Sequence, residues 1–116
     1  MTSFDPDAVG RQVLDARGER IGQLCSLYLD TETSAVSFGG VLMLRRGRRR
    51  IVLVPLSGAT VDADAVTVKC GKELARRAPS VRAGQLLPAD AEPGLFAHYD
   101  MPYSRHTNAP RLALRD

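Results

Sequence analysis

The chain has 116 residues, 44% hydrophobic and 25% charged, which fits one domain with a modest core. Three Phe, three Tyr and no Trp make that core largely aliphatic, and no apolar run approaches the length of a membrane-spanning helix. The net charge of +3 is uneven: five of the sixteen basic residues are Arg45, Arg46, Arg48, Arg49 and Arg50, so one segment, rather than the whole chain, has the footprint of a polyanion binder.

Residues 1–8 read as an acidic extension with neither a basic flank nor an apolar stretch, so a cytoplasmic protein is expected. Residues 9–14 form a short strand closed by Asp15, Ala16, Arg17 and Gly18, a turn with glycine available for positive φ. The next strand, residues 20–30, has apolar residues on both parities: Ile21, Cys25, Leu27 and Leu29 on one, Leu24 and Tyr28 on the other. That pattern predicts a curved strand with a bulge, or one covered on both faces. In residues 35–44 Val36 and Phe38 share one phase and Val41 and Met43 the other, and the switch at Gly39 and Gly40 predicts a bend or bulge there.

The arginine segment is read as a loop leading to Ile51, Val52, Leu53 and Val54, a continuous apolar run typical of an interior strand. Pro55 then loosens the pairing. Two further strands, residues 59–61 and 65–70, flank a turn at Asp62, Ala63 and Asp64, where aspartate serves as a turn former. Residues 72–78 predict a short helix with Leu74, Ala75 and Ala78 on the docked side. Residues 90–99 predict another, with Pro93 in its first turn and an apolar stripe of Ala91, Leu95, Phe96 and Tyr99. Residues 104–116 show no pattern and are expected to be a flexible tail.

This order of features resembles the PRC-barrel family. The matching residues are Val13, Leu14 and Asp15, then Gly18 to Gly22, Tyr28 to Asp30, Val52 to Leu56, Asp62 to Val68 and Lys72 to Ala75, with Phe96 to Tyr103 as the closing segment. The resemblance covers residues 9–103 and implies an all-β fold: a small, strongly bent antiparallel β-barrel with one or two short helices in the C-terminal third. It also implies a small stand-alone bacterial member acting as a non-catalytic adaptor or scaffold for protein–protein interaction. The family includes the cytoplasmic domain of the photosynthetic reaction-centre H subunit and a domain of a ribosome maturation factor. Neither the membrane helix of the one nor the RNA-processing module of the other is found among these 116 residues, so neither specific function is expected to carry over.

Of the candidate sites, Arg45, Arg46, Arg48, Arg49 and Arg50 could contact an acidic protein partner, or phosphates in a ribosome- or RNA-associated role. The alternative is a solvated loop, and no aromatic residues sit nearby to stack on bases. Tyr28, Phe38 and Met43 are the right residue types for a self-association face, which makes a homodimer an open expectation. His98 beside Asp100 invites an acid–base reading, but consecutive helical residues diverge, so His98 and Tyr99 are read as structural. Cys25 and Cys70 lack metal-pair or redox spacing and read as reduced, buried hydrophobes. His106 is read as exposed. No catalytic residue, cofactor or metal is expected.

Overall fold

A computed structural model describes residues 6–82, 87–104 and 110–115. A 3₁₀ turn (Pro6–Ala8) precedes β1 (Gln12–Leu14), which leads into β2 (Arg20–Asp30), β3 (Val36–Arg45) and β4 (Arg48–Pro55). There follow β5 (Thr60–Val61), β6 (Ala65–Thr67), α1 (Lys72–Arg76) and β7 (Ser80–Val81). A 3₁₀ turn (Ala89–Ala91), α2 (Glu92–His98) and β8 (Leu112–Leu114) complete the described elements. The strands join in the order β5-β6-β1-β2-β3-β4-β7, with β8 on β2, and among the described residues only the β1–β6 pair is parallel. The sheet is therefore mostly antiparallel, as expected. Barrel closure is not seen: among the described residues no pairing joins the terminal strands β5 and β7, each two residues long.

Strand β2 combines both expected devices. Its pairing with β3 slips between Leu24 and Ser26, leaving Cys25 as an extra residue, and again between Tyr28 and Leu29, where Ser37 of β3 is the extra one. Both faces of the sheet are dry. Leu24, Leu27, Val41, Val52, Val54 and Val66 pack on one side. Tyr28, Phe38, Leu53, Leu95, Phe96 and Leu112 pack on the other. The unbroken apolar run of β4 follows directly, since Val52 and Val54 enter the first cluster and Leu53 the second.

Bulges flank the predicted position at Gly39 and Gly40: the extra residue opposite Gly40 and Val41 is Cys25 of β2, and that of β3 itself is Ser37. The β3–β4 register runs without interruption from Phe38 to Arg45, so alternation survives across both glycines. They are needed for space. A Cβ at Gly39 would come within 2.7 Å of Leu24 Cδ1, and one at Gly40 would collide with Ser26 Oγ. The two apolar phases of β3 thus face two cores.

Helix α1 is shorter than predicted, and Leu74 is exposed, whereas Ala75 and Ala78 are buried. Helix α2 matches its expected stripe, with Pro93 in the first turn and Leu95 and Phe96 buried. Phe96 meets Phe38 at 5.3 Å and Tyr103 at 4.9 Å between ring centroids, so the C-terminal third covers the second face of the sheet. The expectation of a flexible tail fails for residues 110–115. Buried Glu92 accepts the backbone N–H groups of Arg111 and Leu112, each at 2.9 Å, and the Tyr103 hydroxyl at 2.7 Å. Arg111 also forks onto Asp30 at 3.0 and 3.1 Å, which seats β8 on the edge of β2. His106 lies outside the described residues.

Candidate basic groove

The arginine segment is a tight β-hairpin, not a loop. Arg45 closes β3 opposite Arg48, leaving Arg46 and Gly47 as a two-residue turn with φ of 52° and 74°. Positive φ at both positions is the type I′ geometry whose twist matches the flanking strands. Gly47 adopts it without steric cost, whereas Arg46 is an unusual occupant of the left-handed region. Alternation along β4 then separates Arg48 and Arg50 from Arg49.

On the first side, Arg46, Arg48 and Arg50 meet Arg76 and Arg77, at the end of α1, around an open groove of about 720 Å³. Met43, Val52, Ala78 and Ser80 complete its lining, and among the described residues no carboxylate lines it. Arg50 Nη1 donates to Ser80 Oγ at 3.4 Å. Arg76 pairs with Glu73 at 3.2 Å, an exposed contact that holds the guanidinium only weakly. On the second side, Arg49 joins Arg20, Lys72 and Arg76 along a groove of about 780 Å³ that also contains Leu42 and Leu44. Two basic grooves therefore flank one hairpin and share Arg76 and Met43.

The sequence reading found the hairpin arginines but missed Arg20, Lys72, Arg76 and Arg77. The adjacent pair Arg76 and Arg77 was the available signal. Its position against the hairpin depends on β6 and α1 folding back across the sheet.

The proposed self-association face is corrected by burial. Tyr28 is 3% exposed and Phe38 fully buried, because both fill the second core cluster. Only Met43 of the three reaches the grooves. The His98 Nε2–H donates to the Leu74 carbonyl at 2.6 Å, and the Tyr99 hydroxyl donates to the Leu53 carbonyl at 2.7 Å. These contacts tie α2 to α1 and to the sheet. Cys25 and Cys70 are free and half-buried, and burial pushes both thiols above their ordinary pKa.

Among the described residues no helix is long and apolar enough to cross a membrane, and no three His, Cys, Asp or Glu side chains group as metal ligands. The strands and their order define a small domain built on a bulged, mostly antiparallel sheet. Residues 1–75 match the PRC-barrel domain family, and the chain belongs to that family. The match ends within α1, so β7, α2 and β8 lie beyond it. No curated protein gives a significant match to the chain.

Proposed function

We propose that this protein is a non-catalytic binding module, an adaptor that holds an acidic surface of another protein against its hairpin. One observation carries the reading. Five guanidiniums from two separate elements converge on a groove that no carboxylate lines among the described residues. Like charges gathered in this way repel, and a partner that supplies carboxylates relieves the repulsion while engaging planar two-pronged donors. Among the described residues no aromatic side chain on which a base could stack lines the groove, which supports a protein partner over single-stranded RNA.

Titration calorimetry with polyglutamate, compared with a single-stranded RNA homopolymer, tests this. Polyglutamate is expected to bind the wild type and to weaken at least about tenfold when Arg48 and Arg50 are changed to Ser. RNA binding that is tighter than polyglutamate binding at physiological salt, and lost in the same variant, would replace the protein reading with a nucleic-acid one.

A further inference from the structure

We infer that the second groove selects the partner: it accepts a large apolar side chain that is flanked by carboxylates, so the preferred ligand is a short acidic segment with an apolar anchor. This deepens the acidic-partner reading above and rests on it. Leu44 is 74% exposed, more than any other large hydrophobic among the described residues. It sits directly across the hairpin from Arg49. Leu42 lies on the same face two positions earlier, and Arg20, Lys72 and Arg76 surround the pair.

Neither chemistry alone explains this lining. A purely acidic strand would leave Leu44 in water, and a purely apolar one would desolvate four cations without compensation. A segment carrying both satisfies both. Burial of the anchor against Leu42 and Leu44 supplies affinity, and the surrounding cations fix register. An anionic lipid surface fits less well. Of the apolar residues that line this concavity only Leu44 is strongly exposed, and one exposed leucine gives only marginal anchorage in a bilayer.

The test is fluorescence anisotropy with two labelled peptides of equal charge, one acidic throughout and one with a central Leu-Phe pair. The full chain is compared with its Leu44→Ser variant, which should fold because the side chain is exposed. Burying about half a leucine side chain corresponds to about a tenfold preference for the anchored peptide. That preference should vanish in L44S, while the apolar-free peptide keeps its affinity. Equal binding of the two peptides to wild type, or a preference that survives L44S, would overturn this inference and leave the acidic-partner reading standing. Failure of both peptides to bind removes both readings. Binding of phosphatidylserine vesicles that depends on Leu44, in the absence of peptide binding, would assign the groove to a membrane surface instead.

Discussion

The Asp15 carboxylate caps a helix that begins 57 positions later: its Oδ2 accepts the Lys72 backbone N–H at 3.1 Å. The same carboxylate holds its own turn through Oδ1, which accepts the N–H groups of Arg17 and Glu19, both at 2.9 Å. Gly71, at the N-cap of α1, has no side chain to do this, so the aspartate of the first turn serves both elements. Burial acts to raise the Asp15 pKa, but the donated hydrogen bonds outweigh it and hold the value below the ordinary 3.8. For a depressed carboxylate the stabilisation is complete above the unfolded value and is lost as pH falls through the folded one. An Asp15→Asn variant turns an amide donor toward one of these N–H groups. It should lower Tm by roughly 5 °C or more at neutral pH and show a shallower loss of stability on acidification below about pH 4. Thermal melts followed by circular dichroism over an acid series check both. An unchanged Tm would mean that α1 forms without this cap.

The fastening of the C-terminal strand depends on Glu92, which is fully buried yet accepts three hydrogen bonds. Glu92→Gln keeps the shape but points an amide donor at a cluster of donors. Leaving one of them unsatisfied in the interior costs about 1–3 kcal/mol. The midpoint of urea unfolding should fall accordingly. Hydrogen exchange should accelerate at Leu112 and Leu114 before it does in β3 or β4, because β8 is held by this clasp and the Arg111–Asp30 fork. Uniform acceleration across the sheet would show that Glu92 supports the whole core instead.

Phe38 separates the self-association reading of its strand from the observed one. A residue on a dimer face can be truncated with little effect on the monomer, whereas one in a packed core cannot. Phe38 is fully buried, 5.3 Å from the Phe96 ring and 6.3 Å from Tyr99. Phe38→Ala should cost about 3–5 kcal/mol in urea or guanidinium unfolding. Loss of a dimer with unchanged unfolding, measured by light scattering and denaturation together, would restore the surface reading.

What could be read from the sequence was local. Asp15 before Ala16, Arg17 and Gly18 specifies its turn through bonds within four residues, and the α2 stripe shows its helical period directly. The two-sided apolarity of β2 correctly signalled two dry faces. Alternation cannot say what dries them, however, and a second core completed by Leu87, Leu95, Phe96 and Leu112 looks in sequence like a partner. The tail was misjudged because Arg111 finds Asp30 across 81 positions. The basic groove was half visible for a similar reason. Arg46, Arg48 and Arg50 fall within five residues, but Arg76 and Arg77 reach them only through the turn of the chain at α1.

Gly40 offers a stricter test of how the bulge in β2 is packed. Its register partner in β2 is Ser26, the residue after the extra Cys25, and a Cβ at Gly40 would collide with Ser26 Oγ and lie 3.1 Å from Ile51 Cγ2. Overpacking of this kind typically costs about 1–3 kcal/mol, so Gly40→Ala should destabilise by that amount. The serine hydroxyl is the closest obstacle, and Ser26 Cβ stands at an ordinary 3.5 Å. Ser26→Ala should therefore recover part of the loss in the double variant, and the Ile51 contact should keep the recovery incomplete. A double-mutant cycle by urea denaturation measures the coupling between the two positions. Strict additivity would mean that backbone conformation, not this contact, requires the glycine.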